Sequence, residues 1–127
     1  MKEPRKRRNK NMNKSQVYSK HRYARIAPKK VAVVLDLVRG KNATEAVRIL
    51  KFDETKVAQL ALKVLQTAIA NARTVHNLVE DKLFVSETWV DGGPMQKRGR
   101  IVGRSNFNPI LKRTSHITFG LSERKGK

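Results

Sequence analysis

Residues 54–76 read ETKVAQLALKVLQTAIANARTVH, and the rest of the chain can be arranged around them. Val57, Leu60, Ala61, Val64, Leu65, Ala68, Ala72 and Val75 recur at intervals of three and four, the period of one helix face. No Gly or Pro interrupts the run, so the spacing predicts one long helix. Asp53 is the expected N-terminal cap, with Phe52 and Val57 at hydrophobic-staple spacing. The alanines in the stripe would let another element approach closely.

Upstream, Val31, Val34, Leu35 and Val38 mark a helix over 28–39. Pro28 suits its first position, where a missing N–H costs nothing, and Gly40 suits a left-handed stop. A short helix is expected over 43–51. Its stripe is Ala43, Ala46, Val47 and Leu50, with Asn42 as cap and Glu45 three residues on. Tyr18 to Ile26 is a weaker strand candidate. Downstream the period changes. Leu83 to Val90 is rich in Val, Phe, Thr and Trp and reads as a strand, with Trp89 packed in the core. Leu111 to Leu121 reads as another, with Ile117, Phe119 and Leu121 alternating onto one face.

Asp91 to Pro109 lies between these strands, with Gly92, Gly93, Pro94, Gly99, Gly103 and Pro109 and four basic residues, Lys97, Arg98, Arg100 and Arg104. A structureless loop beyond about 12–15 residues is unusual in a compact domain. The segment is either disordered or an extended hairpin that orders against a large polyanionic partner. Gly92-Gly93-Pro94 is no phosphate loop, since no Lys-Ser/Thr pair opens a helix after it.

The chain carries 29 Lys+Arg against 10 Asp+Glu, a net charge of +19. Solubility alone asks for a magnitude of about 2–8. Residues 1–30 hold 12 basic side chains and one acid, residues 31–90 hold 8 and 7, and residues 91–127 hold 9 and 2. A balanced body with two cationic arms is the layout of a protein that presents basic extensions to a polyanion. Nucleic acid is the first candidate and an anionic membrane the second. The membrane reading would want a basic amphipathic helix, but the cations avoid the most amphipathic one.

No cysteine is present, which excludes disulfides and Cys-based zinc sites. His21, His76 and His116 lie far apart, so no metal or other cofactor is expected. No apolar run approaches the roughly 20 residues of a membrane span. His21 and His116 could form a ribonuclease-like pair across neighbouring strands. The stronger reading gives both to phosphate or backbone contacts. Phe107, in the basic segment, is a candidate for base stacking.

Lys20-His21-Arg22-Tyr23-Ala24-Arg25-Ile26-Ala27-Pro28-Lys29-Lys30-Val31, Leu37-Val38-Arg39-Gly40-Lys41, Ala68-Ile69-Ala70-Asn71-Ala72, Val90-Asp91-Gly92-Gly93-Pro94 and Ile110-Leu111-Lys112-Arg113-Thr114-Ser115-His116-Ile117-Thr118 follow in order along residues 19–122. Together they resemble the ribosomal protein L-twenty-two family of the large subunit, bacterial type. The resemblance implies an α+β fold: three helices packed on a small three-stranded antiparallel sheet, with a long projecting β-hairpin. It implies one domain over 19–122 with its hairpin at 91–110, a flexible basic extension at 1–18 and a basic tail at 123–127. It implies no enzyme, no membrane and no homo-oligomer.

The expected function is a structural constituent of the large ribosomal subunit that binds its ribosomal RNA and assists early assembly. Its hairpin would line the polypeptide exit tunnel. Expected partners are 23S-type ribosomal RNA, neighbouring large-subunit proteins and the nascent chain, in a cytoplasmic rather than an organellar ribosome. The rival is a DNA- or RNA-architectural protein outside the ribosome. The rRNA-binding residues implied are Lys20, His21, Arg22, Arg25, Lys29, Lys30, Lys97, Arg98, Arg100, Arg104, Lys112, Arg113, Thr114, Ser115 and His116. Arg100, Ile101, Val102, Gly103, Arg104, Ser105 and Asn106 would form the tunnel-lining tip. There the family commonly has proline and then alternate arginine, lysine and arginine. Here those positions hold Ile101, Val102, Arg104 and Asn106, so one tip cation of three remains.

Overall fold

The computed structural model describes residues 15–124. The basic extension lies outside them through residue 14, and the C-terminal tail lies outside from residue 125. The body starts before residue 19, because strand β1 spans Val17–Ala24. Helices α1 (Pro28–Val38), α2 (Ala43–Phe52) and α3 (Lys56–Thr74) follow, then strands β2 (Leu83–Gly92), β3 (Gln96–Val102), β4 (Asn106–Lys112) and β5 (Ser115–Glu123). β1, β5 and β2 form an antiparallel three-stranded sheet with β5 in the centre, and β3 with β4 forms a separate two-stranded hairpin. This is the expected α+β fold.

One face of the larger sheet carries the helices. Ile117, Phe119 and Leu121 of β5 are fully buried there against the inner stripe of α3, where Ala58, Ala61, Leu65, Ala68 and Ala72 have no exposed surface. Four small side chains on one helix face let α3 lie close to the strands, so packing adds to the high helix propensity of its alanines. Val31, Leu35 and Val38 seat α1 on the same core. Gly40 adopts φ +78, the left-handed stop expected of it. Its N–H then bonds Val85 O at 3.0 Å, and Val85 N bonds Lys41 O at 2.9 Å, so the α1–α2 connector pairs along the edge of β2.

Three local expectations about the helix ends are corrected. The cap of α3 is Thr55, whose Oγ1 accepts from Ala58 N at 3.2 Å, while Asp53 Oδ1 accepts from Thr55 N. Asp53 instead sits at the C-terminus of α2, and Phe52 is 87% exposed, so no staple forms with Val57. Asn42 occupies the N-cap position of α2, but its side chain makes no capping bond.

Trp89 is half-exposed rather than in the core. β2 carries a bulge between Val85 and Glu87 that reverses the alternation. Leu83 and Val85 point inward before it, Thr88 and Val90 after it, and Trp89 is left on the outer face. There its Nε1 donates to Asp91 Oδ2 at 3.0 Å, and its ring meets Tyr18 edge-on.

Leu111 to Leu121 is not one strand. It breaks at Arg113-Thr114, where Thr114 Oγ1 donates to Pro94 O at 2.8 Å and Gly93 N donates to Thr114 O at 3.0 Å. These bonds tie the root of the hairpin together. Beyond the root, all of β3 and β4 except Ile110 is exposed, so the hairpin leaves the body. Arg104 and Ser105 turn it with φ of 60° and 59°, a left-handed tip built without glycine at those positions.

Candidate nucleic-acid interface

The hairpin register gives it two faces. Residues directly opposite in an antiparallel pair share a face. Arg98 opposes Ile110, Arg100 opposes Asn108, Val102 opposes Asn106, and Gln96 opposes Lys112, which makes one largely cationic and amide face. Lys97 opposes Leu111, Gly99 opposes Pro109, and Ile101 opposes Phe107, which makes the other largely apolar. Lys97 and Arg98, adjacent in sequence, therefore point to opposite sides.

Where the cationic face reaches the body, a cleft of about 420 Å³ opens, lined by Arg25, Ala27, Gln96, Arg98, Leu111, Lys112, Arg113 and Thr114. It gathers Arg25 from the β1–α1 connection with Arg98 from β3, Lys112 from β4 and Arg113 from the root. A second groove of about 580 Å³ adjoins it, where Arg25 and Lys30 meet Lys56 at the start of α3. Lys29 and Lys30 lie in the first turn of α1 and Lys56 in that of α3, and neither turn holds an acid. Cations at a helix N-terminus oppose the helix dipole, so an external anion is what suits them there. Lys56 was missed in the sequence. Its signal, a basic residue opening a helix, is weak until the fold brings two such helix starts together.

Among the described residues the ion pairs are Arg39–Asp36 and Arg73–Glu80, both within the body. Arg39 also donates to Thr88 O, and Arg124 lies over the Phe84 ring. None of the cleft or hairpin cations has a carboxylate partner among the described residues. Self-repulsion there is unrelieved, which costs stability unless a polyanion is bound.

The histidines do not form a pair. His21 opposes Ile117 across β1 and β5 and so lies on the helix side of the sheet. His116 is the next residue on β5 and lies on the other side. Its Nδ1 accepts from Tyr23 N at 3.0 Å, and the Tyr23 ring packs edge-on against it. This contact braces the irregular end of β1, where Tyr23 has φ 60. Lys20 and Arg22 are exposed on β1, outside the cleft lining. Ser115 is fully buried and cannot reach RNA, which removes it from the implied contacts. Thr114 lines the cleft, but its hydroxyl hydrogen is committed to Pro94.

On the outer sheet face, Glu87 Oε1 accepts from Tyr18 OH, from Ser15 Oγ at 2.7 Å and from Ser15 N at 3.1 Å. Burial alone would push the Glu87 carboxyl up, but these donors outweigh it and hold it below its ordinary value. Burial, and then the Glu87 hydrogen bond, raise the Tyr18 phenol. A carboxylate with a lowered folded pKa adds stability above its unfolded pKa and loses it as pH falls through the folded one. Tyr18→Phe deletes one lowering donor. It is expected to destabilise the fold more at pH 7 than at pH 2.5 in urea titrations followed by circular dichroism. An equal loss at both pH values would mean that Tyr18 acts by packing alone.

No group of His, Asp and Glu that could hold a metal is present among the described residues, and none of their helices is long and apolar enough to cross a membrane. The family described as "Ribosomal protein L22p/L17e" matches residues 19–122, which include the cleft and the whole hairpin. The chain belongs to this family. It is 48% identical over 104 residues to the large ribosomal subunit protein uL22 of Caldicellulosiruptor saccharolyticus, covering 82% of this chain and 85% of that protein. It is 46% identical over 103 residues to uL22 of Clostridium novyi, covering 81% and 93%. With uL22 of Thermus thermophilus it shares 46% over 106 residues, covering 84% and 94%. The L22p/L17e family is one of structural, non-enzymatic proteins, in keeping with two histidines held on opposite faces of a sheet.

Proposed function

We propose that this chain is a structural constituent of the large ribosomal subunit that binds its ribosomal RNA without catalysis. The observation that carries the reading is the cleft at the hairpin root, where Arg25, Arg98, Lys112 and Arg113 converge without carboxylate partners among the described residues. Lys and Arg there neutralise phosphates and release counterions. Helical RNA is read by its shape and its 2′-hydroxyls. The body docks through the cleft and the N-terminal ends of α1 and α3. The hairpin then runs inward, lines the exit tunnel with residues 100–106, and meets neighbouring proteins and the nascent chain. Docking of so cationic a chain assists early subunit assembly. Its place is the ribosome of the cytoplasm.

Sedimentation of a cell lysate through sucrose, in low and in high salt, tests this directly. The chain is expected to travel with the large subunit and to stay there in high salt. A chain that remains at the top of the gradient, or that follows DNA, overturns the proposal in favour of an architectural DNA-binding role.

A further inference from the structure

The apolar face of the hairpin is unusual for its surroundings. The segment 96–112 carries five cations and no acid, yet Ile101 is 84% exposed, Phe107 65% and Leu111 41%. Phe107 differs from the other two because something supports it. Its ring lies across Gly99 on the neighbouring strand, where an added Cβ would overlap the ring's Cζ, Cε1 and Cε2 atoms. The glycine thus supplies a flat seat. With one side of the ring on the backbone and 65% of the residue exposed, the other side is open to solvent. A ring seated in this way loses little freedom when something stacks on it.

We propose that Phe107 is a stacking platform for an unpaired nucleobase of RNA. The inference rests on the RNA-binding reading above and adds a residue and a ligand chemistry to it. Charge decides between possible occupants. An apolar protein surface would gain nothing from the cations that surround the ring and would have to bury some of them. A nucleotide carries both complementary parts: a π-face for Phe107, and a phosphate for Lys97, which shares this face. The cationic side of the hairpin, with Arg98 and Arg100, meets the RNA backbone from the other direction. Gly99 is then a positioning residue, since any side chain there lifts the ring from its seat.

The test compares two fluorescein-labelled probes binding the full-length chain. One is an oligoadenylate RNA of about 12 nucleotides, within the range of single-strand sites. The other has the same backbone without bases. The chain is expected to prefer the base-bearing probe by roughly 5- to 150-fold, the value of one stacked base. Phe107→Leu, apolar but not flat, is expected to abolish that preference, and Phe107→Tyr to retain it. Gly99→Ala is expected to weaken it. A preference unchanged in Phe107→Leu overturns the proposal and leaves the apolar face to a protein neighbour. Equal binding of both probes by the unsubstituted chain overturns it as well. In either case tight, salt-sensitive binding of both probes would leave the phosphate-binding reading standing, whereas loss of binding to both would sink that reading itself.

Discussion

Replacing Phe119 by alanine is expected to cost about 3–5 kcal/mol of folding stability, the usual range for deleting a buried aromatic side chain. Phe119 is the largest fully buried side chain of the central strand, and β1 and β2 pair with it at Ser19 and Thr88. The cavity would open between the sheet and α3. The alanines that bring α3 close are too short to fill it, so relaxation recovers little. A single domain has only about 5–15 kcal/mol in total. The hairpin buries almost nothing, so it adds little to this total. Urea unfolding followed by circular dichroism is the measurement, with the midpoint expected to fall by roughly 2 M for a slope of about 1–3 kcal/mol/M. A loss below about 1 kcal/mol would mean that the core is not centred on this strand.

The helices were legible because a period of 3.6 survives in the sequence whatever packs against it. Val57 to Ala72 shows its buried face without any knowledge of the sheet. Strand faces are read from alternation, and one inserted residue defeats that reading. The bulge after Val85 moved Trp89 to the outside, although the residues around it look like core. The cap of α3 was misplaced by two residues because Asp53 and Thr55 are both good cap types, and only backbone geometry separates them. The break at Arg113-Thr114 was hidden because both sides of it favour strand.

The site was legible as charge and not as arrangement. A basic arm, a basic loop and a basic strand were visible, yet nothing in their order says that Arg25 and Arg98 share a cleft. Registers also lay beyond the sequence. Which hairpin residues share a face depends on where the tip turns, and Arg104 and Ser105 turn it in a conformation that favours glycine. A turn one residue away at Gly103 would have re-paired every side chain on β3 with a different partner on β4.

The second large effect concerns the cleft. Substituting Arg25, Arg98, Lys112 and Arg113 together by alanine is expected to lower affinity for large-subunit ribosomal RNA by at least roughly 10²-fold at low salt. The loss should shrink as salt rises, because each phosphate contact removed also removes its released counterion. The slope of log affinity against log salt is expected to become shallower by roughly 3–4, close to 0.9 per contact. Fold damage would not do this, since it lowers affinity at every salt concentration alike. Circular dichroism of the variant should match that of the unsubstituted chain, because all four residues lie outside the buried core. Lys51→Ala with Lys63→Ala serves as the control. Both are exposed cations on α2 and α3, away from the cleft and its adjoining groove. If that pair flattens the salt slope as much as the four cleft residues do, binding is a property of total charge, and the convergence at the hairpin root has no special role. If only the cleft variant flattens it, the phosphates sit where the fold gathers Arg25, Arg98, Lys112 and Arg113, and the hairpin is anchored at its base.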